Sequence, residues 1–165
     1  MKNKRMLIAV LVCVLVAATV AVGLIVRNQQ KAKEIKDAIT VNAGGKAIVV
    51  AVTDLNKGEF SGETVNGKGE RATHQYRGVE LQALLKENKV ALEGIASVTA
   101  TSADQYTAEL TGDEVRTDGR VYLAVEIDGE KVSGIEDGTL GVQMIVFGDE
   151  NMRRSVRNLA VIDVK

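Results

Sequence analysis

Eight side chains in this sequence have chemistry suited to meeting a ligand, and they fall in three short stretches. His74, the only histidine, lies in HQYRG with Tyr76 and Arg77. An imidazole there is a candidate metal ligand or proton carrier; the alternative is a polar side chain at a strand end, hydrogen-bonded to backbone. Arg77 stands before a glycine, placed either to meet an anionic or polar group or to lie solvated. Asp104 and Tyr106 flank a second turn, SADQY. A tyrosine offers a flat face and a hydroxyl, which suit a planar heterocycle, or it packs in the core. Arg153, Arg154 and Arg157 are the densest basic cluster in an otherwise acidic stretch. The planar guanidinium fork suits phosphate, and a charged solvated turn is the competing reading.

Other chemistries are excluded by composition. The single cysteine is Cys13, so a disulfide within the chain has no second partner and residues 14–165 hold neither a thiolate metal site nor a cysteine nucleophile. No glycine-rich phosphate loop ends in Lys-Ser/Thr, the EF-hand spacing is absent, and no serine sits in a nucleophile elbow. Residues 28–165 carry 17 basic and 22 acidic side chains, a formal charge of −5. Nucleic acid, which needs a basic stripe, is not an expected partner.

The elements that position these residues follow from hydropathy. Residues 6–26, MLIAVLVCVLVAATVAVGLIV, are 21 residues without a charge. As a helix they would be about 31 Å long at 1.5 Å per residue, against a hydrocarbon core of about 30 Å. The expected organisation is a cytoplasmic tail and transmembrane anchor at 1–27, a helical stalk at 28–38 and one domain at 39–165, outside the cytoplasm. A cleaved signal ending at Ala21-Val22-Gly23 competes, but Leu24, Ile25 and Val26 extend the apolar run beyond it.

Within the domain, short β-rich runs alternate with turns. Strands are expected at Ile39–Val41, at 46–52 (KAIVVAV), at Phe60–Val65 and at Glu70–Tyr76, the last two joined by an Asn66-Gly67 hairpin turn. Arg77-Gly78 is expected to end that hairpin and to open the main helix, about 79–88, on the spacing of Val79, Leu81, Leu84 and Leu85. Strands follow at 95–102, 106–110, 121–128, 142–148 and 156–164, with Asp128-Gly129 as a second hairpin turn. Thr111 and Glu114 have capping-box spacing for a single helical turn. The fold class is α+β, one mixed, mostly antiparallel, β-rich domain with one main helix.

These parts, in this order, resemble the oxidoreductase molybdopterin-binding domain, the sulfite-oxidase-like fold. The likeness runs over about residues 46–165. It is carried by Arg77-Gly78-Val79-Glu80-Leu81 with Leu84-Leu85, by Ser102–Tyr106, by Tyr122-Leu123-Ala124 with Asp128-Gly129-Glu130, and by Val142–Val146 with Arg153–Val164. Members that hold molybdenum ligate it through a cysteine on the loop after an early strand. That loop corresponds here to Thr53-Asp54-Leu55-Asn56, which has none. Glu80 replaces the family's proline and Gln105 its glycine.

The resemblance implies a pterin or molybdopterin held non-covalently, with the arginine cluster near the pterin or its phosphate, and it does not imply a protein ligand for a metal. The expected function is a membrane-anchored extracytoplasmic binding module, non-catalytic, for a pterin-like heterocycle or an envelope protein partner. An oxidoreductase subunit and a structural or adhesive envelope β-domain are the alternatives.

Overall fold

The computed structural model describes residues 37–165. The anchor expected at 6–26 and residues 28–36 of the stalk expected at 28–38 lie outside the described residues. Among the described residues no helix is long and apolar enough to cross a membrane.

Among the described residues two five-stranded sheets make the fold. The first is built from β1 (Ala38–Ala43), β2 (Lys46–Ala51), β5 (Ser97–Ser102), β6 (Thr107–Thr111) and β10 (Leu159–Val164), in the order β2-β1-β10-β5-β6. All its pairings are antiparallel except β1 with β10, which is parallel. The second runs β3 (Gly58–Val65), β4 (Arg71–Glu80), β7 (Val121–Ile127), β8 (Glu130–Lys131), with β9 (Gln143–Val146) also paired to β7. Two short helices, α1 (Leu81–Glu87) and α2 (Gly112–Arg116), and two 3-10 turns, Val52–Leu55 and Met152–Arg154, complete it. Mixed sheets with few helices were expected, and this is what the chain forms.

The core follows from period-two alternation. Ile39, Val41, Val98, Leu110, Leu123, Met144 and Ile162 point inward from both sheets and meet Leu81, Leu84 and Leu85 of α1, all at most 2% exposed. The other face of the second sheet carries Tyr76, Ala124 and Ile145 with the half-buried Phe60 and Phe147. Phe60 stacks on Tyr122 with ring centroids 4.1 Å apart.

Several boundaries differ from the sequence expectation, each for a local reason. Ala38, expected as the last stalk residue, opens β1 by pairing with Ala51. Just before it, Asp37 takes φ 62°. Its carbonyl accepts the Val52 N–H (2.8 Å) and its carboxylate accepts the Leu140 N–H (2.8 Å).

Arg77-Gly78 is not a turn. β4 runs on to Glu80, with a register shift between Arg77 and Gly78, and α1 begins only at Leu81. Glycine is required there by close approach, since a Cβ on Gly78 would lie 2.0 Å from the Leu123 carbonyl oxygen.

The Asn66-Gly67 turn also differs. Only Gly69 takes a positive φ, because Asn66 Oδ1 accepts the Lys68 and Glu70 amides and holds the loop open around them. Asp128 and Gly129, at φ 51° and 82°, do have the backbone that a two-residue hairpin turn demands. α2 carries the expected capping box between Thr111 and Glu114.

Candidate functional site

The end of β5 and the 3-10 turn at Met152–Arg154 border an open cavity near several of the sequence-predicted residues. It has a volume of about 310 Å³ and is lined by Asp104, Tyr106, Gln143, Met152, Ser155 and Arg157. That is at the small end of the range of ligand pockets, roughly 300–1,000 Å³.

Each wall has a local cause. Ser102 closes the loop after β5: its amide donates to the Tyr106 carbonyl (2.9 Å), and its buried hydroxyl accepts the Tyr106 N–H (2.9 Å) and donates to Asp104. Gln105 takes φ 71° at the tip, a conformation that favours glycine. The Ser102 hydroxyl holds the Asp104 carboxyl below the usual range, so Asp104 is an ionised acceptor at neutral pH.

Tyr106 is 48% exposed, and its hydroxyl donates to the Arg153 carbonyl, which stretches the ring along the cavity. Val156 pairs with Met144 by reciprocal backbone bonds of 2.8 and 3.0 Å, and this sets Arg157 next to Gln143. Among the described residues neither Arg153 nor Arg157 forms an ion pair.

A second cavity of about 680 Å³ adjoins the first and shares Gln143 and Arg157 with it. Asp128, Lys131 and Ser133 form part of its far side. Asp128 is where His74 enters: His74 Nδ1 lies 2.6 Å from Asp128 Oδ2, and the Gln75 amide donates to Oδ1 at 2.9 Å. An ionised carboxylate only accepts, so Nδ1 donates this bond, and Nε2 has no hydrogen-bond partner among the described residues. The His74 bond also lowers the Asp128 pKa.

The eight predicted residues therefore separate. Asp104, Tyr106 and Arg157 line one cavity, and Arg153 borders it through its carbonyl. His74 touches the second cavity only through Asp128. Three do not serve. Tyr76 is 3% exposed inside the aromatic cluster, where burial raises its pKa. Arg77 pairs with Glu59 across the strands at 3.4 Å.

Arg154 spends its whole fork on Glu114 and Asp149, with bonds of 2.6 to 3.0 Å. Arg120 joins both carboxylates, at 3.3 and 2.8 Å, and closes a neutral network of four groups. Arg154 holds the Glu114 carboxyl down to about 2. Asp149 and Glu114 in turn push the Arg154 pKa up.

Ser102, Gln143 and Ser155 were not singled out from sequence. Gln143 had a legible signal, being the one polar residue of the buried run Gln143–Val146.

A family model, the oxidoreductase molybdopterin binding domain, matches residues 46–159, which include every cavity residue named above. The chain belongs to this family. Among solved structures it is similar to the sulfane dehydrogenase SoxCD from Paracoccus pantotrophus, at 18% identity and a TM-score of 0.60. That match covers 77% of this chain and 37% of the SoxCD chain, so this member spans little more than a third of that protein. The shared fold is the sulfite-oxidase-like one. No curated protein matches.

For a member of the oxidoreductase molybdopterin-binding family, the donor set decides what fits. Among the described residues no three His, Cys, Asp or Glu side chains gather to hold a metal. The loop resembling the ligand loop is the 3-10 turn Val52–Leu55, with Thr53 and Asp54 exposed and no sulfur. A molybdenum held by a protein thiolate does not fit this donor set. The pterin part does: Asp104 is an ionised acceptor, Arg157 and Gln143 carry donors, and Tyr106 presents a ring face.

Proposed function

We propose that this chain is a non-catalytic, membrane-anchored member of its family that binds a pterin-like heterocycle outside the cytoplasm. The observation carrying this reading is the cavity of about 310 Å³ in which Asp104, Tyr106, Gln143 and Arg157 converge. A pterin ring has an amino-pyrimidinone edge with adjacent N–H donors, which a carboxylate accepts, and ring nitrogen and oxygen acceptors, which guanidinium and amide groups satisfy. Its flat face suits the exposed Tyr106 ring. Anchoring through residues 6–26 is supported by their length and lack of charge.

The test is calorimetric titration of the purified full chain with oxidised and reduced pterins. Saturable heat that Arg157→Ala weakens is expected. No heat and no thermal shift across the series would overturn the pterin reading. Localisation is tested by fusing a reporter active only outside the cytoplasm to the C-terminus; activity is expected, and a silent, fully expressed fusion would overturn that part.

A second reading is favoured by the Arg157 guanidinium lining the cavity, which forms no ion pair among the described residues. It is an oxidoreductase subunit holding molybdopterin without a protein thiolate. Metal analysis of chain made in a molybdenum-replete host separates the two: a near-stoichiometric content supports the second reading, and a trace content removes it.

A further inference from the structure

The far end of the first sheet carries a surface that the pterin reading does not use. β2 is an edge strand, and among the described residues it pairs only with β1. Exposed edges are normally blunted by charge, bulges or shortness. Three other edges of this domain are blunted. β6 presents exposed Glu109. β3 presents Glu59 and Glu63, paired to Arg77 and Arg71. β8 has two residues. β2 reads KAIVVA, six residues with one charge, at its first position, and its register against β1 is unbroken.

Beside this edge lies a cavity of about 730 Å³, with apolar walls from Ile48, Val90 and Val164 and a rim of Lys46, Lys89 and Lys165. Lys46 and Ile48 share one face of β2, because side chains alternate along a strand. The cavity therefore runs along the face of the open edge. Its charge is opposite to that of the rest of the domain. Residues 37–165 hold fourteen basic and twenty-one acidic side chains, yet this cavity is lined by three lysines and no acidic side chain. The main-chain oxygen of Lys165 is taken by the Ala96 and Ser97 amides at 2.7 and 3.2 Å.

We infer that β2 and the lysine-rimmed cavity beside it form a docking site for an extended segment of a partner protein, one that carries apolar and acidic side chains on the same face and adds to the sheet as a sixth strand. Backbone bonds to β2 supply register, and side chains on one face of the added strand fill the cavity. The lysines select acidic over basic sequences and speed encounter. A second copy of β2 brings lysine to lysine-rimmed surface and has no acid to offer, so self-pairing is disfavoured.

The experiment uses the full chain and a fluorescent octapeptide, Asp-Thr-Val-Thr-Val-Thr-Asp-Thr, whose valines and aspartates share one face of a strand, with anisotropy and amide hydrogen exchange as readouts. Saturable binding is expected, with the Lys46–Ala51 amides exchanging at least about tenfold more slowly in its presence. The double variant K46E/K89E, both on the surface, should weaken binding about tenfold or more. The same peptide with alternate backbone nitrogens methylated should not bind, because it cannot extend the ladder.

Four results would overturn the inference: no binding, equal binding of the peptide with lysine in place of aspartate, equal binding of the methylated peptide, or a preference for phosphatidylglycerol vesicles over the peptide. So would β2 amides already protected in the free chain, which would give the edge to a second copy or to residues 1–36.

Discussion

The stretch His74–Gly78 and the rim of the Tyr106 cavity carry similar residue types but differ in what those residues already hold. In β4, His74 is bound to Asp128, Tyr76 is buried among aromatic rings, Arg77 faces Glu59 and Gly78 lies against the Leu123 carbonyl. Around the cavity, Arg157 has no ion-pair partner among the described residues, Tyr106 is half exposed and Asp104 is poised as an acceptor. The same contrast recurs within one segment, where Arg154 is spent on two carboxylates and Arg157, three positions on, is not. A polar residue whose partners come from the fold stabilises the fold; one whose partners are missing is available to a ligand.

Five substitutions, one of them read as a pH profile, put this contrast at risk. Gly78→Ala should have the largest effect, a loss of about 3 kcal/mol in urea unfolding, because the methyl group meets backbone that cannot move without breaking the β4–β7 ladder. A loss below about 1 kcal/mol would mean the strands part easily.

Arg154→Ala should cost about 2 kcal/mol, less than for a fully buried pair because solvent reaches part of the network and Arg120 remains. Arg157→Ala should stay within about 0.5 kcal/mol of the parent. Equal losses at the two positions would erase the distinction.

The network also sets acid stability. The Glu114 carboxyl titrates at about 2 in the folded chain against 4.5 ordinarily, so the unfolded chain takes up the proton first. The contribution is complete above the ordinary value and fades as pH falls from 4.5 toward about 2. Glu114→Gln should lower stability at neutral pH and flatten the stability profile over that window, as read by thermal unfolding at stepped pH.

For the open region the expected effect is on binding. Arg157→Ala should weaken pterin affinity about tenfold, one charge-assisted hydrogen bond, with stability unchanged. The smallest effect is Gln105→Gly, a gain of up to about 1 kcal/mol from relieving the left-handed conformation at φ 71°, detectable as a raised midpoint.

Much of this fold was legible before any coordinates. Strands such as 97–102 alternate without interruption, and the Thr111–Glu114 box is purely local. β8 was missed because two residues carry no periodicity. Gly78 was misread because a glycine demanded by a neighbouring backbone looks, in one dimension, like a glycine demanded by a turn. The site was legible in residue type and not in occupancy. Arg154 and Arg157 differ only through Glu114, forty residues away, and Asp149. His74 could not be read as held, since Asp128 is fifty-four residues on.

The seat of Asp37 has a mechanical meaning. Its two anchoring bonds, to Val52 and Leu140, lead directly into β1, which is laddered on both sides, to β2 and in parallel to β10. A pull along β1 from the chain ahead of Asp37 loads both ladders in shear, all bonds at once, instead of peeling them singly. Rupture is then a matter of unfolding rate and not of equilibrium stability. A tether attached ahead of Asp37 would load the domain along that shear direction.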